Sequence, residues 1–363
     1  MKVLNLVNNL QHGGVQRMAL NVANSLPYFG IESHLCTIQD FGDLKTLISD
    51  DTIYSTLSAS SIYSPLGAKK LLHYCKSFNI DVVHIHHRAL FLAFQSFLFN
   101  DGFVLIWHDH YGRQDTRTRP WFVYYPLTRV LNGVISVSHP LLNWAIQSMK
   151  IPQERVRFIP NFIESPKATP LPGSIELPGE SGYRIVCVAN FRPHKDHITL
   201  LNGFQEVVEK SPRAQLILVG EVEDDHYFRK VEREIERLSL TNHVTNLGKR
   251  MDVYNILAGA DIGILSSTSE GLPVTLIEYG FMGLPVLCTN VGDCQWLIKN
   301  NERGLLIPSK SPQELASGLL KLLNDKTTAK RFGAQLKQFV EHNINNKVIV
   351  NEIIDFYKFL SVD

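Results

Sequence analysis

The feature of this sequence that most constrains its fold is the alternation of short apolar runs with amphipathic helical patterns. The first cycle has an apolar run at residues 3–7, a polar loop, and apolar residues that recur at helical spacing from Val15 to Leu26. Further strands are predicted at residues 81–85, 103–107 and 133–137. This alternation is typical of βαβ units around a parallel sheet, so residues 1–165 are predicted to form a doubly wound α/β domain.

The same pattern restarts near Tyr183 and predicts a second α/β domain over residues 182–344. Residues 166–181, rich in proline and glycine, are interpreted as an interdomain linker. The last helical pattern, in residues 345–363, either completes the second domain or packs back on the first. Two such domains imply a cleft in which the carboxyl ends of the strands meet a ligand. In the second domain, strands are predicted at 184–188, 215–219, 243–247, 261–265 and 284–288, and a helix at 198–208.

Composition excludes several classes of function. The formal net charge of +1 creates no field that would attract nucleic acid, so no nucleic-acid partner is expected. The five scattered cysteines form no CxxC pair and predict reduced core thiols. No secretory signal pattern opens the sequence, and its most apolar later stretch, residues 89–99, is too short to span a bilayer. A cytoplasmic protein is therefore expected.

The segment at residues 266–287 carries the most informative chemical pattern. A predicted strand runs into a Ser/Thr loop, Glu270 follows, and Pro273 suits the first turn of a helix whose N-terminus would bind phosphate. On one helix Glu270 and Glu278 would lie roughly 12 Å apart along the axis, too far for an acid–base pair. The spacing suits a sugar at one carboxylate and a ribose at the other. A helix-dipole role for Glu270 and a solvated Glu278 would also fit the bare spacing.

This segment resembles the E-x7-E element of glycosyltransferase family 4, in which EGLP opens the motif and Gly-x-Pro-Val follows the helix. In that family the first glutamate contacts donor-sugar hydroxyls and the second binds the nucleotide ribose, which implies these roles for Glu270 and Glu278. The resemblance also implies that Gly271, Leu272 and Pro273 bind the donor. It implies the GT-B fold, an α/β architecture of two Rossmann-like doubly wound domains facing a cleft, and transfer with retention of configuration.

A second loop, residues 188–198, resembles the family's diphosphate-binding loop. Lys195 falls on the lysine position that neutralises the donor diphosphate, whereas Asn190 stands where the family usually has an arginine. Arg192, two residues along, is predicted to replace that arginine, because fixed cations stabilise a leaving diphosphate.

Glycines mark further parts of the predicted donor site. Gly13 and Gly14 resemble the family's glycine-rich first loop, whose backbone approaches the donor phosphate; alternatively, they only shape a turn. They do not form GxGxxG, so a nicotinamide site is not predicted. In the second domain, Gly220, Asn190 and Arg250 complete the predicted donor-binding residues, although Glu221 and Val222 stand where the family has a second glycine after Gly220.

Five histidines cluster near two predicted strand ends, at His84, His86, His87, His108 and His110. Such a cluster could hold a metal ion. The surrounding segments also resemble two strand-end elements of the family, which is not typically metal-dependent. The resemblance implies that His108 is a catalytic histidine near the donor sugar, that the others make local hydrogen bonds, and that neither a metal nor another cofactor is needed.

A segment at residues 113–129 combines basic and aromatic side chains. This combination suits an anionic membrane surface that presents a lipid-linked saccharide; the alternative is a partly exposed helix whose aromatic residues face the core. The side chains concerned are Arg113, Arg117, Arg119, Trp121, Phe122, Tyr124, Tyr125 and Arg129.

These patterns together predict a retaining glycosyltransferase that moves a sugar from a nucleotide diphosphate sugar to a saccharide or lipid-linked acceptor. A role in surface polysaccharide or lipopolysaccharide biosynthesis, with peripheral association at the inner face of the membrane, is expected from the resemblance. Two rival interpretations are a sugar-nucleotide 2-epimerase of the same architecture and a catalytically silent nucleotide-sugar-binding protein. The predicted catalytic residues are Glu270, Lys195, His108 and Arg192.

Overall fold

The computed structural model describes residues 1–11, 13–98, 102–110, 119–163 and 176–361. The chain divides into two compact units. Unit 1 comprises Met1–Ile163 and Asn346–Asp363, and unit 2 comprises Glu164–Asn345. Each unit has a parallel sheet with helices between its strands, so the prediction of two doubly wound α/β domains is confirmed.

Unit 1 is built on a seven-stranded parallel sheet, counted over the described residues. Its strands are β1 (Lys2–Val7), β2 (Glu32–Thr37), β3 (Thr52–Thr56), β4 (Val82–His86), β5 (Val104–Asp109), β6 (Gly133–Ser136) and β7 (Val156–Phe158). Their spatial order is β3-β2-β1-β4-β5-β6-β7. The order reverses between β1 and β4, which is where sheets of this kind place ligands. The helices are α1 (Gly14–Ser25), α2 (Pro65–Phe78), α3 (Leu90–Phe97), α4 (Trp121–Tyr124) and α5 (His139–Gln147).

Unit 2 has a second parallel sheet, six-stranded over the same described ranges. Its strands are β8 (Arg184–Val188), β9 (Gln215–Val219), β10 (Val244–Asn246), β11 (Ile262–Leu265), β12 (Val286–Thr289) and β13 (Leu305–Ile307). They lie in the order β10-β9-β8-β11-β12-β13, so the switch point falls between β8 and β11. The helices are α6 (His197–Lys210), α7 (Asp225–Arg237), α8 (Val253–Ala258), α9 (Val274–Phe281), α10 (Cys294–Ile298), α11 (Pro312–Asn324) and α12 (Lys326–Asn343).

The last helix, α13 (Asn346–Leu360), belongs to unit 1 although it follows unit 2 in the chain. Gly133 of β6 makes room for it, because a Cβ there would lie 2.5 Å from the Leu360 side chain and 2.8 Å from that of Phe356. The guanidinium of Arg157 on β7 stacks over the Phe356 ring at 5.3 Å. The helix therefore packs back on the first sheet.

Strands β2, β3 and β13 have no counterpart in the sequence prediction, whereas β7 lies in residues 156–161, which resemble the strand that closes the family's first domain. In β2 polar side chains occupy buried positions and interrupt the apolar pattern: Ser33 donates to the Ala23 carbonyl, and His34 contacts the Tyr74 hydroxyl at 2.8 Å. The buried hydrogen bonds that make these positions tolerable join distant parts of the chain, so local patterning does not reveal them.

Two further expectations need correction. Helix α9 begins at Val274, so Pro273 immediately precedes it and Glu270 lies in the preceding loop; the axial estimate of the distance from Glu270 to Glu278 does not apply. The end of the predicted linker is part of unit 2, where Leu177 is buried and its carbonyl accepts a hydrogen bond from Arg184. Residues 166–175 of that linker lie outside the described residues.

The five cysteines are all buried free thiols, as predicted. Among the helices described here, none is long and apolar enough to cross a bilayer.

Candidate active site

The loops that follow β8 and β11 meet because these two strands are neighbours in the sheet. After β8, a short 3-10 turn spans Pro193–Lys195. The hydroxyl of Ser266 donates to the Lys195 carbonyl at 2.9 Å, and the backbone N–H of Thr268 donates to the His194 carbonyl at 2.8 Å. The Ser/Thr loop after β11 thus holds the turn that carries Lys195.

Lys195 and Glu270 form an ion pair at the carboxyl end of this sheet. The Lys195 ammonium lies 2.5 Å from a Glu270 carboxylate oxygen, and the Ser267 hydroxyl donates to the same oxygen at 2.5 Å. The two charged side chains are only 14% and 11% exposed, so solvent screens their interaction weakly. The sequence assigned these residues to different parts of the donor, and the structure brings them into direct contact.

Helix α9, which carries the half-buried Glu278, is fixed to the end of β8 by two side chains. The Thr275 hydroxyl donates to the Val188 carbonyl at 3.1 Å, and the Tyr279 hydroxyl accepts from the Val188 N–H at 2.9 Å. A Cβ on Gly263 would lie 2.5 Å from the Tyr279 ring, so only glycine fits at that point of β11. These contacts set the position of Glu278 relative to the loop that carries Lys195.

Three predicted donor residues are engaged with neighbouring acids. Glu223 accepts a hydrogen bond from the Asn190 side-chain amide and lies 2.9 Å from the Arg192 guanidinium. Arg250 forms a two-point ion pair with Asp252, with both contacts at 2.7 Å. The guanidinium of Arg192 therefore faces a carboxylate, and its prediction as a diphosphate ligand stays a prediction.

The predicted glycines differ in what they do. A Cβ on Gly220 would lie 2.1 Å from the Ala189 carbonyl oxygen, so this glycine permits a close backbone approach. At Gly271 the close approach depends on Gly292 instead, because a Cβ on Gly292 would lie 2.4 Å from the Gly271 carbonyl oxygen. Gly13 precedes α1 and Gly14 is its first residue; a Cβ on Gly14 would meet nothing within 4 Å. The side chain of Leu272 is buried in the protein. Its predicted contact with the donor stays a prediction.

Four histidines of unit 1, His84, His86, His108 and His110, form a network beside the ends of β4 and β5. His84 Nε2 lies 2.9 Å from His108 Nδ1, and His84 Nδ1 lies 2.5 Å from the Tyr357 hydroxyl of α13. His86 bridges His110 and Asn5, with both contacts at 3.2 Å. The His108 Nε2 atom is buried and has no hydrogen-bond partner among the described residues.

The three histidines His84, His86 and His108 could each offer one nitrogen to a metal ion, because these atoms lie within 4.8 Å of one another. Hydrogen bonds already engage five of their six ring nitrogens: both on His84, both on His86, and Nδ1 of His108. Binding a metal would require several of these contacts to break. The expectation of a metal-free site stays a prediction.

Burial makes this network sensitive to acid. Desolvation lowers the pKa of His84 to about 3 from its ordinary 6.5 and lowers the pKa of His86, His108 and His110 well below that value. Below pH 6.5 the unfolded chain binds protons that the folded chain does not. The free energy of unfolding is therefore expected to fall as the pH drops from 6.5 towards 3, by up to about 1.4 kcal/mol per pH unit for each such histidine.

Urea unfolding at a series of pH values would measure this slope. His84→Gln should reduce it, whereas His73→Gln, at an exposed position of α2, should leave it unchanged. Equal slopes in the wild type and His84→Gln would contradict the assignment of His84 as a neutral buried group.

The basic and aromatic segment divides between the interior and the surface. Arg119 is buried and pairs with Asp109 at 2.5 Å, with its guanidinium 4.0 Å from the Trp144 ring centroid. The expectation that Arg119 faces a membrane is therefore wrong, because its charge is already matched inside the unit. Arg113 and Arg117 lie outside the described residues. Arg129 and the aromatic residues Trp121, Phe122 and Tyr125 are exposed, while Tyr124 is half-buried.

Comparison with known proteins places the chain in a family. A model described as "Glycosyl transferases group 1" matches residues 175–339, and one described as "Glycosyltransferase Family 4" matches residues 12–165. The chain belongs to glycosyltransferase family 4. The two matches confirm, in both halves of the chain, the family membership that the motifs predicted.

Relatives of this family 4 protein share modest identity with it. The N-acetyl-alpha-D-glucosaminyl L-malate synthase of Bacillus anthracis is 26% identical over 62% of this chain and 58% of its own length. The UDP-Gal:alpha-D-GlcNAc-diphosphoundecaprenol alpha-1,3-galactosyltransferase of Escherichia coli is 22% identical over 58% of this chain and 56% of its own length. Each match thus spans less than two thirds of the relative.

Solved structures confirm the fold of this family 4 chain. The structure of Anabaena HepE in complex with UDP and glucose superposes with a TM-score of 0.83 at 21% identity, covering 98% of each chain. The GT-B architecture is therefore confirmed as two Rossmann-like domains with parallel sheets.

Three residues of the site were not predicted from the sequence. Ser267 contacts Glu270, Glu223 contacts Asn190 and Arg192, and Tyr357 contacts His84. Ser267 lies inside the motif and could have been found as a hydroxyl three residues before the glutamate. Nothing in the local sequence marks Glu223 or Tyr357.

Proposed function

We propose that this family 4 protein transfers a sugar from a nucleotide diphosphate sugar to a saccharide or lipid-linked acceptor, with retention of configuration. The observation that carries the proposal is the largely buried contact of Lys195 with Glu270, beside the helix that carries Glu278. A cation, a carboxylate and a second carboxylate on an adjoining helix match the three parts of such a donor: diphosphate, sugar and ribose.

The reaction places its largest charge change at the diphosphate. As the bond from the anomeric carbon to the diphosphate oxygen breaks, the Lys195 ammonium stabilises the developing negative charge. Glu270 then accepts hydrogen bonds from sugar hydroxyls, and its contact with Ser267 fixes its orientation. The departing diphosphate takes the acceptor proton as the acceptor oxygen bonds to the same face of the anomeric carbon. Glu270 is not a nucleophile in this course.

No metal is part of this proposal. Lys195 supplies a positive charge at the diphosphate, and rotation of Arg192 away from Glu223 would supply a second. Donor binding in the presence of a chelator tests this point directly.

The test of the donor site is binding of a panel of UDP-, GDP-, ADP- and CMP-sugars, without added metal, to the wild type and to Glu278→Ala. One nucleotide class should bind, and the variant should lose about 10-fold or more in affinity, since a carboxylate hydrogen bond to a ribose is charge-assisted. Glu236→Ala, an exposed glutamate of α7, is the matched control. Absence of binding across the panel would contradict the proposed function, and conversion of a bound donor into an epimer without any acceptor would replace it with the epimerase.

We further propose that the acceptor is lipid-linked and reached at an anionic membrane surface, in surface polysaccharide biosynthesis. The support is the exposure of Trp121 (53%), Phe122 (65%) and Tyr125 (43%) beside the exposed Arg129. Aromatic side chains of this kind insert at the headgroup level, and the adjoining cation favours acidic lipids. The E. coli relative is named for a diphosphoundecaprenol-linked acceptor, which agrees with this choice.

Flotation with vesicles that contain acidic phospholipid tests the membrane contact. Trp121→Ala with Phe122→Ala is expected to lower vesicle binding about 10-fold, because two aromatic anchors are lost. Tyr63→Ala removes an aromatic residue of similar exposure (55%) elsewhere in unit 1 and serves as the control. Wild-type protein that stays with the unbound fraction, with or without acidic lipid, would contradict the proposal.

A further inference from the structure

A series of three hydrogen-bonded side chains runs from the last helix to the end of β5, and His108 is its last member. The hydroxyl of Tyr357 on α13 contacts His84 Nδ1, and His84 Nε2 contacts His108 Nδ1. Tyr357 and both histidines are fully buried, and Tyr357 is 273 residues away from His84 in the chain. The last atom of this series, His108 Nε2, is buried and lacks a hydrogen-bond partner among the described residues.

The protons of this series have two arrangements. In the first, the Tyr357 hydroxyl donates to His84, His84 donates from Nε2 to His108, and the proton of His108 lies on Nε2. In the second, every donor and acceptor is reversed: His108 donates from Nδ1, and His84 donates from Nδ1 to the Tyr357 oxygen. Neutral imidazole carries one proton, so each arrangement fixes the state of both rings.

The hydroxyl proton of Tyr357 distinguishes the two arrangements. In the first it is used in the bond to His84. In the second it has no acceptor among the described contacts of Tyr357, and it would stay unsatisfied in a fully buried position. The second arrangement therefore leaves two buried groups unsatisfied, this hydroxyl proton and the Nε2 lone pair of His108, whereas the first leaves only the Nε2–H of His108. Unsatisfied buried polar groups are costly, so the first arrangement is the stable one.

We propose that Tyr357 is a positioning residue that, through His84, holds His108 as the neutral tautomer with its proton on Nε2. His108 then presents an N–H donor at Nε2 and cannot act there as a general base. The effect on sugar transfer rests on the proposed function, whereas the tautomer is a property of the protein itself.

The neutral state is consistent with the surroundings of the ring. His108 is fully buried, and burial together with His110, His84 and His86 lowers its pKa well below 6.5. A neutral ring has a choice of two tautomers, and a neighbouring hydrogen-bond series is what selects one of them.

Nitrogen NMR of protein labelled with ¹⁵N-histidine tests the assignment without any ligand. The His108 signals are identified by their loss in His108→Gln. The wild type should show a protonated Nε2 and an unprotonated Nδ1 for His108. The opposite pattern would overturn the proposal, and this measurement does not depend on the folding of a variant at Tyr357.

Tyr357→Phe keeps the ring and removes only the hydroxyl. It is expected to populate both tautomers of His108 and to lower kcat/KM for the donor found in the panel by about 10-fold, the loss of one hydrogen-bonding interaction in the transition state. Tyr74→Phe is the matched control. The Tyr74 hydroxyl contacts His34 in unit 1 at 2.8 Å, so this substitution removes a tyrosine–histidine hydrogen bond of the same kind elsewhere.

The outcomes separate this inference from the proposed function. A mixed His108 tautomer in Tyr357→Phe but not in Tyr74→Phe supports the role of Tyr357. An unchanged His108 spectrum in Tyr357→Phe overturns it, whether or not a donor binds. Failure of every donor in the panel contradicts the proposed function and leaves the tautomer assignment to be decided by the wild-type spectrum.

Discussion

Replacement of Glu270 by glutamine is expected to lower the rate of sugar transfer by about 10²–10³-fold. Glutamine has nearly the same shape and can still accept a hydrogen bond from Ser267. It lacks the charge that faces the Lys195 ammonium at 2.5 Å, and its bonds to sugar hydroxyls are weaker than those of a carboxylate. The affinity for the nucleotide diphosphate should change little, because Glu278 and Lys195 remain.

The measurement is the initial rate of nucleotide diphosphate release from the donor identified by the panel. Glu206→Gln alters a glutamate that pairs with Lys210 on an exposed face of α6 and is expected to keep the wild-type rate. Unchanged turnover in Glu270→Gln would remove Glu270 from the mechanism.

A double-mutant cycle with Lys195→Met sharpens this test. Two groups in contact act on the same step, so the losses in transfer rate caused by the two single substitutions should not add. The double variant should be only slightly slower than the slower single variant. Strict additivity of the two effects would show that the ion pair between Lys195 and Glu270 has no role in transfer.

Replacement of Arg119 by methionine is expected to lower the free energy of unfolding by about 3–5 kcal/mol. The Arg119–Asp109 pair has both side chains only 1% exposed, so the variant leaves the Asp109 carboxylate in a buried site without its guanidinium. The variant also removes the contacts of the guanidinium with the rings of Tyr124 (4.3 Å) and Trp144 (4.0 Å).

Urea unfolding followed by tryptophan fluorescence suits this test, because Trp107 and Trp144 both lie against Arg119. Arg129→Met changes an exposed arginine nearby and should stay within about 0.5 kcal/mol of the wild type. The double variant Asp109→Asn with Arg119→Met should be more stable than Arg119→Met alone, since the buried charge is gone. A loss below about 1 kcal/mol in Arg119→Met would contradict the buried ion pair.

The sequence by itself determined the two parallel sheets and the identity of the loops that follow β8 and β11. Alternating apolar runs and helical spacing are local signals, because they depend on residues within one turn or one strand. The motif that contains Glu270 and Glu278 is local in the same sense. Parallel sheets bring their carboxyl ends to one edge, so both loops were expected at that edge, but it is the pairing of β8 with β11 that brings the Lys195 loop to the Glu270 loop.

Only the tertiary structure decided which side chains touch. Lys195 meets Glu270 across 75 residues, Arg192 meets Glu223, and Arg119 lies inside the unit. Tyr357 reaches His84 because α13 returns to the first sheet. Contacts of this kind depend on strand order and on how side chains pack over a sheet, and the periodicity of apolar residues along the sequence does not report them. Local patterns were therefore sufficient to predict the fold. They did not predict which buried charged groups pair or which hydrogen bonds set the protonation of the buried histidines.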